Sequence, residues 1–210
     1  MKSIFLILTL FSSIGFAWGK RGHEIIAYVA TELLAEKEGR DYLRALSFDL
    51  GYYSNVPDIV FRSLGDGVDR LEHPLHFLDW DKDVNTVFKN PKDIPIAFSD
   101  FKKAMGDKFD RKTGLAPWRI RQLVLQCTQQ AQNLNREKQG PLLVCLGIMS
   151  HYLGDLSMPL HNSSNYDGQK SGQKGIHSFY ESVLVDRLEP SLRQAVLKKA
   201  KEDWAGFSSK

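Results

Sequence analysis

Histidines and carboxylates recur in this chain at intervals that suit metal binding. There are six His. His151 and Asp155 are four residues apart, and so are His177 and Glu181. In a helix that spacing projects both side chains from one face. Leu142 to Leu156 is apolar on most sides and reads as a central buried helix. A carboxylate buried there without a partner is costly. A cation held beside an imidazole removes that cost. His161 stands between the two pairs, just past Pro159. Any one of these histidines, taken alone, reads as a hydrogen-bonded core residue. Two His-x-x-x-acid pairs flanking a third His shift the reading to metal. Imidazole and carboxylate without thiolate suit zinc in a catalytic site.

Further ligands must come from upstream. Asp58 sits at a helix start, where the dipole would favour an acid in any case. His76 lies in Leu75-His-Phe-Leu-Asp79, and His73 competes with it on spacing alone. The N-terminus adds another candidate. Lys2, the apolar run Ile4 to Leu10, and the small residues Gly15 and Ala17 read as a secretory signal cut between Ala17 and Trp18. The run is too short to span a membrane. Cutting there would free an α-amine on Trp18, five residues before His23. A deprotonated amine and the adjacent carbonyl can chelate a metal. The expected organisation is a leader over 1–17 and a helical domain over 18–210, secreted or periplasmic.

The elements that must position these groups are helical. At 210 residues the chain fits one domain. With 42% apolar and 25% charged residues it is neither disordered nor collagen-like. A net charge of +3 is short of a nucleic-acid-coating tail, yet compatible with anionic substrates. Ile25, Ile26, Val29, Ala30, Leu33 and Leu34 form one helical stripe, ended by Gly39. A short helix is expected from Asn55-Val-Pro-Asp58 to Leu64, then a turn at Gly65-Asp-Gly67. Other helices are expected over Asp100 to Phe109, Pro117 to about Arg136, Ile176 to Leu188 and Leu192 to Trp204, with a loop from Asn162 to Gly175. No alternating strand stands out. The fold class is all-α, a single multi-helix, bundle-like domain with long loops. Two Cys exclude a disulfide framework. Cys127 and Cys145 fall at different heights on consecutive expected helices, which favours two buried thiols over a disulfide.

Trp18-Gly-Lys-Arg-Gly-His23 resembles the mature start of the single-strand-specific zinc nucleases of the S-one/P-one type. His151-Tyr-Leu-Gly-Asp155-Leu-Ser-Met-Pro-Leu-His161 is similar to the motif those nucleases share with bacterial zinc-dependent phospholipases C. Gly175-Ile-His177-Ser-Phe-Tyr-Glu181 is closer to the phospholipase form, since the nucleases usually place Asp at that last position. The resemblance implies a mainly helical fold with three zinc ions. It assigns one to Asp58, His76, His151 and Asp155. It assigns a second to the amine and carbonyl of Trp18, to His23 and to the bridging Asp155, and a third to His161, His177 and Glu181. A bridged zinc pair acidifies a shared water, and the third ion polarises a phosphoryl oxygen. Asp58 is then the candidate catalytic residue that orients the water or takes its proton.

The pocket must choose between substrates. Choline-selective phospholipases hold a cationic headgroup with a Glu and aromatic residues. Here those places carry Arg21, Ile59 and His73, and a quaternary ammonium wants carboxylates and aromatic faces. In the nucleases a Phe and an Asp after the first ligand His stack on and hydrogen-bond a base. Phe77 and Asp79 fit those places. Arg21 and Arg62 are candidates to attract phosphates. The expectation is a zinc-dependent phosphodiester hydrolase on single-stranded DNA or RNA. Phospholipid is the alternative substrate, and a non-catalytic zinc-binding domain is the remaining reading.

Overall fold

A computed structural model describes residues 18–133 and 139–208, with side chains to residue 205. The expected leader over 1–17 lies outside the described residues. Among them no strand occurs, so the all-α expectation holds. The helices are α1 (Lys20–Glu38), α2 (Tyr42–Ala45), α3 (Ser47–Ser54), α4 (Asp66–Glu72), α5 (Asn85–Val87), α6 (Phe98–Met105), α7 (Ala116–Gln132), α8 (Gln139–Ser157), α9 (Ile176–Ser178), α10 (Val185–Leu188) and α11 (Ser191–Ser208). None is long and apolar enough to cross a membrane.

Helix α8 is the axis, packed by α1, α3 and α7. Two glycines on it set how close the neighbours come. A Cβ at Gly147 would lie 2.4 Å from Tyr53 Cβ, so α3 could not approach. A Cβ at Gly154 would lie 2.8 Å from Ile26 Cδ1 and 3.3 Å from His23 Nδ1. Both contacts are below ordinary packing distance, so the missing side chain at residue 154 eases the close approach of α1 to the C-terminal end of α8. The core is split. Leu123, Cys127, Cys145 and Tyr152 fill the α7–α8 seam. Ile25, Val29 and Val185 join α1 to the C-terminal segment. Leu78, Val84, Phe88, Phe101 and Met105 pack beneath the segment that follows His76.

Three sequence expectations are corrected. Cys127 and Cys145 form a disulfide, with Cα atoms 5.7 Å apart. Helix α7 ends at Gln132 rather than near Arg136, and α8 begins at Gln139 rather than Leu142. Each cysteine therefore sits a similar distance from the hairpin connection, at the same height. Gly65-Asp-Gly67 is also not a free turn. It is the entry to α4, whose first turn carries Asp66 and Asp69 where the dipole favours acids.

Candidate metal centre

Helix α8 presents His151 and Asp155 one turn apart, both fully buried. Across the Gly154 contact, the His23 ring stacks on His151 at 4.0 Å. His23 Nε2 lies 3.4 Å from Asp155 Oδ1. Asp58 comes from a wide π turn, Pro57–Phe61, and is buried. Such turns recur at functional sites. Its Oδ1 is 3.8 Å from His76 Nδ1 and 3.9 Å from His151 Nε2. His76 Nδ1 is 2.8 Å from Asp155 Oδ2 and 3.0 Å from His151 Nε2. Asp155 thus shows one oxygen to His23 and the other to His76 and His151. Spacing left His73 and His76 open. His76 enters the cluster, while His73 stays outside it with its ring 5.3 Å from Phe77.

The second cluster is formed after α8. His161 Nε2 is 3.2 Å from His177 Nε2 and 3.1 Å from Glu181 Oε1. His177 Nε2 is 2.8 Å from Glu181 Oε2. The segment 176–188 keeps right-handed helical dihedrals through a π turn at Phe179–Leu184, which carries Glu181 inward.

The donor atoms fit bound cations. His151 Nδ1 is 2.7 Å from the Ser54 carbonyl. His161 Nδ1 is 2.9 Å from the His76 carbonyl, and His177 Nδ1 is 3.2 Å from the Tyr166 carbonyl. A carbonyl only accepts, so each Nδ1 carries the hydrogen. In the neutral ring Nε2 is then a bare lone pair. The Nε2 lone pairs of His161 and His177 face each other beside two carboxylate oxygens, an arrangement that repels unless positive charge lies between them. Both ring nitrogens of His23, Asp58 Oδ1, Asp155 Oδ1 and Glu181 Oε2 are buried without a hydrogen-bond partner. Three donor groups result: His23, His151 and Asp155; Asp58, His76 and His151; and His161, His177 and Glu181.

Electrostatics divide the histidines: burial opposes the charge on His76 and His161, but Asp155 and Glu72 beside the first raise it to about 9, and Glu181 beside the second raises it too. Burial opposes ionisation of Asp155, yet His151, His23 and His76 hold its carboxyl well below the usual range. Burial, aided by His151, pushes His23 down. A neutral imidazole is the form that ligates a metal.

Trp18 lies beside the same centre. Its indole N–H donates to the Gly154 carbonyl at 2.9 Å, one residue from Asp155. A cleft of about 630 Å³ opens onto the second cluster, lined by Arg62, His76, Phe77, Asp79, His161 and His177. Arg62 also contacts Asp58 at 3.6 Å and Asp69 at 3.0 Å. Arg21 does not line the cleft. It is exposed and paired with Asp186 at 3.4 Å. Lys112 and Lys174 line the cleft too. Nothing in their sequence context marked them. Glu72 was also missed, although it stands one helical turn before His76.

Residues 18–193 match the family model described as S1/P1 nuclease. The chain belongs to the S1/P1 nuclease family. The family supports a phosphodiester hydrolase, and its members are generally zinc-dependent. A curated relative from Bradyrhizobium tropiciagri, called a probable serine protease, is 24% identical to this S1/P1 family member over 246 residues. The match covers 80% of the chain and 31% of the relative, so the chain spans about a third of that protein. No solved structure matches.

Proposed function

We propose that this S1/P1 family member is a zinc-dependent endonuclease for single-stranded DNA and RNA, exported to the periplasm or the medium as a chain beginning at Trp18. It would hold three zinc ions. Asp58, His76, His151 and Asp155 would take one. Trp18, through its amine and carbonyl, would take another with His23 and Asp155. His161, His177 and Glu181 would take the third. Bound zinc supplies Lewis-acid activation of a water and of a phosphoryl oxygen.

The chain's own residues do the rest. Asp58 faces the paired site and is the group to orient an attacking water and accept its proton. Phe77 offers a half-buried ring at the cleft wall for base stacking. Asp79 is placed to hydrogen-bond a base edge. Arg62, Lys112 and Lys174 draw phosphates toward the metal side. The observation that carries this reading is the cleft in which an aromatic wall, cationic residues and the donor histidines His76, His161 and His177 converge. The protease name of the relative finds no counterpart in the site. Among the described residues, the histidine rings meet carboxylates, carbonyls and other imidazoles, and none meets a serine hydroxyl.

The test is hydrolysis of single-stranded RNA and DNA by protein beginning at Trp18, with and without a chelator. Cleavage that the chelator abolishes and zinc restores is expected. Intact strands at full zinc loading would overturn the nuclease reading and turn attention to phospholipid headgroups.

A further inference from the structure

Glu72 is a buried carboxylate that belongs to none of the three donor groups. It closes α4, one turn before His76. The Tyr152 phenol donates to its Oε1. The same oxygen lies 3.6 Å from His76 Nε2, longer than a hydrogen bond. That nitrogen is buried and has no partner. The other side of the ring, Nδ1, faces Asp155, His151 and Asp58.

These facts are linked by the chemistry of imidazole. A neutral ring that offers Nδ1 to a cation keeps its hydrogen on Nε2. A buried N–H without an acceptor is expensive, and a ligating His usually donates its free N–H to a carboxylate or carbonyl. Glu72 is the carboxylate on that side. Tyr152 comes from α8, next to His151, and its ring packs 5.2 Å from the His76 ring. The Arg119 guanidinium lies 5.2 Å over the Tyr152 ring and supplies positive charge near the carboxylate. Tyr152 therefore pins one lone pair of Glu72 and leaves others for His76. Because α8 carries Tyr152, His151 and Asp155 together, the pin moves with the ligands it serves.

We propose that Glu72, held by Tyr152, is a positioning residue that accepts the His76 Nε2–H and fixes the ring with Nδ1 toward the paired metal site. This rests on the three-ion reading above. Accepting that hydrogen also makes Nδ1 a stronger donor to the cation. A Glu72 that is merely a satisfied core acid would need only its bond from Tyr152.

The experiment is zinc binding by protein beginning at Trp18, by mass spectrometry across buffered free-zinc concentrations, with visible spectra after cobalt(II) replacement. Glu72→Leu removes the acceptor. One of the three ions should bind about 10–100-fold more weakly, with a changed cobalt spectrum and the other two retained. Glu72→Gln keeps an acceptor oxygen and should recover most of that loss. Tyr152→Phe should fall between them. Wild-type affinity for all three ions in Glu72→Leu would overturn the proposal. So would equal loss of all three, or a Gln variant no better than Leu, since either marks a packing role alone. Wild-type protein that binds no zinc would overturn the three-ion reading itself, and the proposal with it.

Discussion

The first cluster draws His23, Asp58, His76 and the pair His151/Asp155 from four separate segments of the chain. His161, His177 and Glu181 are gathered from a stretch of 21 residues, with a sequence separation of 20 between its ends. The first cluster takes His23, His151 and Asp155 from the long helices α1 and α8, and Asp58 and His76 from short turns. The second takes His161 from the short turn after α8, and His177 and Glu181 from the short helical segment 176–188, steadied by the loop before it. His177 leans on the Tyr166 carbonyl, within the segment between Asn162 and Gly175. That segment is tied down where Asp81 accepts from the Ser164 N–H at 2.7 Å and from the Ser163 hydroxyl at 3.0 Å. The first cluster is closed by four segments brought together across the core, the second by one stretch of chain tied to residues 76 and 81. Regions built on few long-range contacts open at lower free energy. The two clusters should therefore fail under different insults.

The largest contrast is expected from removing one ligand of each. Asp155→Asn takes the negative charge from the group that faces three histidines. Breaking a buried charge cluster on one side costs about 3–5 kcal/mol. That cost falls on folding stability and should appear as a lower Tm. Zinc content should fall by two ions. His177→Ala should release one ion, leave the other two, and lower melting less. A variant set in which Asp155→Asn keeps two ions, or His177→Ala loses all three, would break the division into a core-built and a locally built site.

The same division governs how much was legible in the sequence. The pairs His151/Asp155 and His177/Glu181 stood out because four-residue spacing is a local, helical signal. Helices α1 and α7 were visible from apolar periodicity, and α8 from a run that is apolar on most sides. What sequence hid was register. The ends of α7 and α8 were misplaced by a few residues, which hid the Cys127–Cys145 disulfide. Arg21 and Arg62 looked alike as cations near ligands, yet only Arg62 faces the cleft. Which side of a turn an arginine takes depends on tertiary packing, with no local pattern to report it. Glu72 was hidden for a related reason. Its helix began at Gly65-Asp-Gly67, residues that favour a turn and a helix entry alike.

Between these effects lies the disulfide. It closes a separation of 18 residues between the helices that frame His151 and Asp155. A loop of that size gives about 3 kcal/mol by chain entropy. For a domain of this size each kcal/mol moves Tm by about 2–4 °C. Replacing Cys127 and Cys145 with Ala should then lower Tm by about 6–12 °C, read by calorimetry. On heating, the paired site should lose its ions with the helix unfolding, since it depends on the α7–α8 seam. At 25 °C the variant should still bind three ions. Loss of the His161 ion alone at 25 °C would show that the locally built site, and not the core-built one, leans on this crosslink.

The finest contrast concerns two carboxylates beside the locally built site. Burial, together with the charge of Asp81, pushes the Asp79 carboxyl up to about 6. Burial also opposes ionisation of Asp81, but the Ser164 N–H and the Ser163 and Ser164 hydroxyls overcome it and hold that carboxyl down. Asp81 is thus a fixed anion that anchors the loop, while Asp79 titrates within the cleft at about 6. The sign follows from linkage. An acid whose folded value lies above its usual one binds its proton more tightly in the fold. Its neutral form therefore adds stability at low pH, and that stability is lost as pH rises through about 6. Asp79→Asn removes this loss, so its Tm should exceed that of the wild type above pH 6 and match it near pH 4. Substrate binding should move the other way. If ionised Asp79 accepts hydrogen bonds from a base, KM should fall as pH rises through about 6 in the wild type and stay flat in Asp79→Asn. A KM profile unchanged by the substitution would remove Asp79 from the substrate wall and leave Phe77 and the cations to define it.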